Sequence, residues 1–192
     1  MAAPQRREQL LDVTKELVTE RGFHAVSIEG VARSAGISRP IVYGHFHDLD
    51  GLLEALVDRE MQRSIAQLDS VIDYDLAKGD PVEILITSLR GYLEAVAADP
   101  GTWRLVLIPP EGAPASLHER IAWGRSAILE QLASNVQPGF GPGRESPDPE
   151  LTARMLTAFS DEGARLLLTD PEHYDVDRVV RHARWLLGQL DL

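Results

Sequence analysis

The side chains that most often do enzyme chemistry are present in this sequence, but their spacing builds no recognisable catalytic or metal site. The chain has no cysteine, so thiolate zinc sites, thiol nucleophiles and disulfides are excluded. Its six histidines are scattered, and His45 and His47 would lie on different faces of a helix. Paired Glu-x-x-His, His-Glu-x-x-His, Gly-x-Ser-x-Gly and phosphate-binding glycine motifs are all missing. We therefore expect no catalytic residues, no metal and no cofactor.

Ala32, Gly36 and Val42 stand at a spacing that is typical of a helix-turn-helix. Two short helices that pack at a steep angle need a small side chain where they approach, and a glycine in the turn between them. They also need an apolar anchor on the second helix. Further apolar residues complete the set: Ile28, Val31 and Ile37. The segment from Ser27 to Leu53 is therefore predicted to hold a helix-turn-helix.

Helical spacing of apolar residues continues through the rest of the chain, and no strand-like alternation is present, so we predict an all-α fold. Ser27, Ser38 and Asp48 are placed to cap the second, third and fourth helices. Residues 136–149, with four prolines and three glycines, are predicted to be a surface loop. The helices are predicted at about 5–20, 28–34, 39–45, from 48 onward, 81–98, 103–108, 115–135, 149–168 and 176–190.

The segment around the helix-turn-helix resembles the N-terminal domain of the TetR (tetracycline repressor) family of transcriptional regulators. The resemblance covers about the first third of the chain. It rests on Arg21-Gly22-Phe23, Val26-Ser27-Ile28, Val31-Ala32, Ala35-Gly36-Ile37-Ser38, Val42-Tyr43-Gly44-His45-Phe46 and Leu52-Leu53. It implies an N-terminal three-helix DNA-binding domain, over residues 1–47, and a C-terminal helical ligand-binding and dimerisation domain, over residues 48–192.

The resemblance also implies which residues contact DNA. The third helix would enter the major groove, and the guanidinium fork of Arg39 matches the two acceptors of guanine. Pro40 and Ile41 would touch thymine methyls, and Tyr43 and His45 would contact phosphate. The expected DNA-binding set is Ser27, Arg33, Ser38, Arg39, Pro40, Ile41, Tyr43 and His45.

The charge distribution and one departure from the family both predict a weak electrostatic attraction to DNA. The formal net charge is -11, but residues 1–50 carry 6 Lys and Arg against 7 Asp and Glu, so the acid is concentrated in the body. Family members commonly have a lysine at the start of the fourth helix, and Leu49 stands in that place here. The acids Asp48 and Asp50 flank it, so we expect few phosphate contacts.

Large apolar side chains on several helices of the body are candidates for a small-molecule pocket, although each could simply fill the core. They are Tyr92, Trp103, Trp123, Met155 and Phe159. The polar groups that could orient a ligand are His118, Arg125 and Asp161. The apolar residues of 150–168 and 176–190 exceed what one layer of helices would cover, so we expect a homodimer through these two segments.

Together these features predict a ligand-responsive transcriptional regulator, most simply a repressor. It would bind a palindromic operator in double-stranded DNA as a homodimer, and an unidentified small-molecule inducer would release it. An inducer-independent DNA-binding regulator or activator is the first alternative, and a helical-bundle enzyme the second. We expect neither a signal peptide nor a membrane segment, and we expect a cytoplasmic location.

Overall fold

A computed structural model describes residues 2–139 and 146–189, and within them the fold is all-α, as predicted. The α-helices of these residues are α1 (Ala3–Arg21), α2 (Ile28–Ser34), α3 (Arg39–Phe46), α4 (Leu49–Val71), α5 (Pro81–Ala98), α6 (Pro100–Leu107), α7 (Ala115–Gly139), α8 (Pro149–Thr169) and α9 (Val176–Gln189). Two short 3-10 helices, Phe23–Ala25 and Leu76–Lys78, were not predicted.

The predicted helix ends are most accurate where a capping residue or proline marks them. The bounds of α2 and α5 match the predictions, and the carboxylate of Asp48 accepts a hydrogen bond from the Gly51 amide at 2.7 Å at the start of α4. Pro100 was predicted to close α5 but instead begins α6, because proline is well suited to the first position of a helix. The prediction of a loop from residue 136 was wrong for 136–139, which extend α7, and residues 140–145 lie outside the described residues.

The chain forms two compact units. The first comprises Met1–Ser64 and Gly101–Ile121, and its core joins α1 to α4 with α6 and the start of α7. Fully buried side chains at its centre come from all of these helices, and they include Leu10, Val31, Val42, Leu52, Leu105 and Leu117. The core of the helix-turn-helix therefore extends to apolar residues more than fifty positions further along the chain.

The second unit comprises Ile65–Pro100 and Ala122–Leu192. Within it α5 packs against α8 and α9. A Cβ added to Gly163 on α8 would lie 2.8 Å from Cγ1 of Val179 on α9, so these two helices approach closely at that point. A separate apolar cluster joins Leu76 to α7 and α8 through Leu132, Val136 and Ala153.

A buried carboxylate links three helices of the first unit. Glu60 on α4 has 1% of its surface exposed, and its Oε2 accepts a hydrogen bond from the Thr102 hydroxyl at 2.5 Å. The same oxygen accepts one from Lys15 Nζ at 3.3 Å, and Oε1 accepts one from Arg59 Nε at 2.8 Å. Arg59 in turn reaches the α1 carboxylate of Asp12 at 2.8 Å. The buried Glu60 carboxylate thus connects α4 to the largely buried Lys15 of α1 and to the Thr102 hydroxyl of α6.

We predict that Glu60→Ala lowers the free energy of unfolding by about 3 kcal/mol, because the largely buried Lys15 loses its carboxylate partner, although Arg59 keeps Asp12 and Glu8. Urea denaturation followed by circular dichroism measures this change. The matched control is Glu54→Ala on the same helix. Glu54 is exposed and bonded to Ser116, and its loss is expected to change the free energy by about 1 kcal/mol or less. Equal losses in the two variants would contradict the structural role of Glu60.

Candidate nucleic-acid interface

The turn between α2 and α3 has the geometry that the sequence predicts. The Ser27 hydroxyl accepts a hydrogen bond from the Gly30 amide at 3.1 Å, and this bond caps α2. Gly36 has a φ of 67°, a left-handed conformation that glycine adopts without strain. The next amide, of Ile37, returns to the Ala32 carbonyl at 2.9 Å. Ala32 and Val42 are both buried, so the predicted small contact and apolar anchor are in place.

Helix α3 has one buried face and one exposed face. Val42 and Phe46, one turn apart, pack into the core of the first unit. On either side of this buried face lies a large exposed side chain, Ile41 with 43% of its surface exposed and Tyr43 with 48%. Since both side chains are exposed, α3 presents an apolar and aromatic surface of the kind that contacts base edges.

The predicted DNA-binding residues lie on this exposed side of α2 and α3. The exposed ones are Ser27, Arg33, Ser38, Arg39, Pro40, Ile41 and Tyr43, and His45 is half-buried. The predicted capping bond of Ser38 is wrong, since its side chain makes no hydrogen bond to the start of α3. Pro40 has no amide hydrogen, and the Ile41 amide bonds to the Ser38 carbonyl instead, at 3.0 Å. The Ser38 hydroxyl is therefore not committed to capping α3.

The end of α3 is held by a residue that sequence reasoning missed. Arg7 on α1 donates a hydrogen bond to the His45 carbonyl at 3.3 Å, and its guanidinium lies 4.5 Å from the centre of the Phe46 ring. A cation at the carboxyl end of a helix is favoured by the helix dipole. Since Arg7 and His45 are 38 residues apart, no local pattern could have indicated this contact.

Leu49, which replaces the family's common lysine, is half-buried against the core of the first unit. It contributes packing at the start of α4 and no charge. The acids on either side of it, Asp48 and Asp50, are exposed. In this chain the side chain at position 49 therefore packs against apolar residues of the first unit.

An acidic residue that the sequence reasoning did not select lies among the predicted DNA-binding arginines. The carboxylate of Glu29 on α2 is 3.9 Å from Arg33 Nη2 and 3.8 Å from Arg39 Nη1. All three side chains are largely exposed. The i,i+4 spacing of Glu29 and Arg33 could have indicated the first pair, whereas the second crosses the turn.

The residues proposed as ligand contacts are distributed over both units. Trp103 is buried in the first unit, whereas Tyr92 is buried and Phe159 half-buried in the second. Trp123, with 69% of its surface exposed, and Met155, with 66%, also belong to the second unit. Of the three candidate polar groups, His118 is exposed on the first unit.

The other two candidate polar groups meet in the second unit, beside a proposed ligand contact. Arg125 Nη2 on α7 lies 2.8 Å from Asp161 Oδ2 on α8, and the Tyr92 hydroxyl donates to Asp161 Oδ1 at 3.2 Å. Burial raises the pKa of Asp161 above its ordinary value, although Arg125, Arg165 and the hydrogen bond from Tyr92 oppose the shift. Burial together with the nearby Asp161 raises the pKa of Tyr92 well above its ordinary value. The phenol is therefore held as a hydrogen-bond donor.

Within 2–139 and 146–189, no three His, Asp or Glu side chains cluster so as to hold a metal ion. In the same ranges no helix combines the length and the apolar character that crossing a membrane requires.

The helix-turn-helix and its exposed second helix define the class of protein as a DNA-binding regulator. Residues 10–56 match the family model of the bacterial regulatory proteins of the tetR family. The first unit thus carries the tetR-family DNA-binding domain, and the family resemblance inferred from the sequence is confirmed. Regulators of this family act by binding DNA, which sets the chain apart from enzymes.

Comparison with solved structures extends the likeness of fold to the whole chain. A TetR-like transcriptional regulator from a Rhodococcus species is 23% identical, with a TM-score of 0.76 over 96% of this chain and 94% of that one. A TetR/AcrR-family regulator from Thermobifida fusca is 20% identical, with a TM-score of 0.67 over 98% and 99% of the two chains. The regulator FadR from Bacillus subtilis, solved in complex with stearoyl-CoA, is 19% identical, with a TM-score of 0.68 over 94% and 96%. The chain has the fold of a TetR-family transcriptional regulator.

The environment of Tyr92 predicts a pH dependence of stability. Because its pKa is raised in the folded state, the unfolded chain loses the phenol proton first, near pH 10. The contribution of Tyr92 is then complete below about pH 10 and is lost as the pH rises towards the folded pKa. Above pH 10 we expect the wild type to lose up to about 1.4 kcal/mol more per pH unit than Tyr92→Phe, measured by urea denaturation. Parallel losses in the two proteins would contradict the raised pKa.

Proposed function

We propose that the chain is a ligand-responsive transcriptional repressor that binds a palindromic operator as a homodimer and is released by a small-molecule inducer. The observation that carries this proposal is the exposed face of α3, where Arg39, Ile41 and Tyr43 are open to a partner while Val42 and Phe46 anchor the helix. This activity requires access to operator DNA. We therefore propose that the protein is located in the cytoplasm. Residues 1–47 act as the DNA-binding domain and residues 48–192 as the ligand-binding and dimerisation domain.

Each residue of the DNA-binding set has a role that fits its place. Arg39, at the start of α3, reads guanine through its two-pronged guanidinium, and Pro40 and Ile41 contact thymine methyls. Tyr43 and His45 bind phosphate, as does Ser27 through its hydroxyl or the amides at the start of α2. Arg33 adds a further backbone contact, and Ser38 has a hydroxyl that is not engaged at the start of α3.

The dimer is proposed to form through 150–168 and 176–190, since α8 and α9 leave apolar side chains uncovered. On α8 these are Leu151 and Met155, and on α9 they are Trp185 and Leu186. A groove between the two helices is lined by Phe159 and Val179 and carries both Glu162 and Arg178. In a two-fold interface every contact occurs twice, so Glu162 of one copy can pair with Arg178 of the other and the reverse pair forms as well. Trp185, which the sequence reasoning missed, is the largest of these exposed groups.

Release from DNA is proposed to follow a ligand bound in the second unit, with Tyr92, Trp123, Met155 and Phe159 as contacts, whereas Trp103 belongs to the first unit. The group formed by Tyr92, Arg125 and Asp161 supplies polar contacts of the kind that orient a ligand, with a tyrosine held as a donor. FadR of Bacillus subtilis is a neighbour in fold with a bound acyl-CoA, which supports an apolar ligand for this chain. Ligand must bind the released conformation more tightly than the DNA-bound one, because equal affinity shifts no equilibrium.

Selection of bound duplexes from a random DNA library tests the proposed function. We expect the wild type to enrich a palindrome, and Arg39→Ala to lose the preference at one position of each half-site, with about a tenfold or greater loss of affinity for the selected duplex. Arg21→Ala, an exposed cation at the end of α1, is the control of equal charge change and is expected to keep the preference. Enrichment of no sequence by the wild type would overturn the proposal.

Sedimentation equilibrium tests the proposed dimer. Wild type is expected to be dimeric at micromolar concentration, and Trp185→Asp is expected to raise the dimer dissociation constant at least about 30-fold, because an exposed aromatic at an interface centre contributes strongly to binding. Trp123→Asp, at a more exposed tryptophan on α7, is the matched control and should leave the dimer intact. A monomeric wild type, or equal effects of the two substitutions, would contradict an interface on α8 and α9.

A further inference from the structure

Glu29 occupies a position where a DNA-binding surface would not be expected to carry an acid. It is the second residue of α2, one turn before Arg33, and its Oε2 lies 3.8 Å from Nη1 of Arg39 across the turn. The start of a helix attracts phosphate through its free amides and its dipole. A carboxylate at the same place repels phosphate. Glu29 would therefore weaken DNA binding unless it contributes to recognition in another way.

The chemistry of the arginine side chain supplies such a role. A guanidinium has five N–H donors arranged around a plane, and a guanine engages two of them through O6 and N7. A carboxylate on another edge of the same plane can hold the fork in one orientation while the guanine edge stays free. In the described structure Oε2 of Glu29 lies 3.8 Å from Nη1 of Arg39, and the Arg39 side chain is 63% exposed.

Arg33 keeps the charge of this group positive. It pairs with Oε1 of Glu29 at 3.9 Å, so two guanidiniums share one carboxylate and the group keeps one positive charge. The pair with Arg33 gives the Glu29 carboxylate a second cationic partner besides Arg39. If Glu29 only stabilised the fold, its contribution to the free energy of unfolding would be small, because exposed ion pairs contribute little.

We infer that Glu29 is a positioning residue for base recognition, which holds the Arg39 guanidinium for guanine and keeps it from binding phosphates of any sequence. This inference rests on the proposed function and adds a source of sequence specificity to it. On a matching duplex the oriented fork gains both guanine bonds. On other duplexes Arg39 is retained by Glu29, and the carboxylate repels the backbone.

The test compares Glu29→Gln with wild type on two 30-base-pair duplexes, one recovered by selection and one with its sequence scrambled. Fluorescence anisotropy at fixed salt gives both dissociation constants. We expect Glu29→Gln to bind the scrambled duplex several-fold more tightly and the selected duplex no more tightly. The ratio of the two dissociation constants should therefore fall about fivefold or more in a dimer, since each exposed pair contributes up to a factor of about five. Unchanged urea midpoints would show that the fold is intact.

Two controls separate positioning from charge alone. Glu20→Gln removes the same charge from an exposed acid paired with Arg21, and it should leave the ratio unchanged. In an Arg39→Ala background, Glu29→Gln should change both affinities by the same factor, because the residue through which it acts is gone.

A ratio that stays constant in Glu29→Gln, or one that falls equally with Arg39 absent, would overturn the inference while leaving the proposed function in place. A wild type that prefers no duplex would overturn both. The two failures are therefore distinguishable within one set of titrations.

Discussion

The angle between α2 and α3 is the constraint on which the proposed recognition surface depends. Ala32 is small enough for the close approach, Gly36 turns the chain at a positive φ, and Val42 locks α3 into the core. Once these contacts are made, Ile41 and Tyr43, which flank Val42 on either side of α3, remain exposed. A bulkier residue at 32, or a β-branched one at 36, would rotate or displace the face that carries Arg39.

The helix-turn-helix does not build its core from its own segment alone. Leu105 on α6 and Leu117 on α7 are buried in the same cluster as Val31 and Val42. Glu60 holds α4 to α1 through an ion pair with Lys15 and to α6 through a hydrogen bond from Thr102. Closely packed protein interiors have low compressibility, so a displacement at one side of the core also moves the side chains packed against it. A shift of α6 or of the start of α7 would therefore act directly on the packing of the DNA-binding unit.

Much of the fold could be predicted because its signals are local. Ser27 and Asp48 cap helices through bonds within three residues, and the Ala32, Gly36 and Val42 spacing indicated the turn correctly. The extension of α7 to Gly139 and the lack of a side-chain cap from Ser38 at the start of α3 are not indicated by these local signals. The contacts made by Arg7, Glu29 and Glu60 join residues that are distant in sequence or across a turn. From the sequence alone these residues are expected to be exposed charged side chains, and their partners cannot be identified.

The central claim is that two copies of this chain present α3 to successive major grooves on one side of a duplex. Hydroxyl-radical footprinting of the wild type on a selected duplex tests it most directly. If two copies bind in this way, two protected patches will lie on the same face of the DNA. Their centres will be about 10 base pairs or somewhat more apart, and a two-fold axis will relate them. One protected patch, or uniform protection along the duplex, would contradict it.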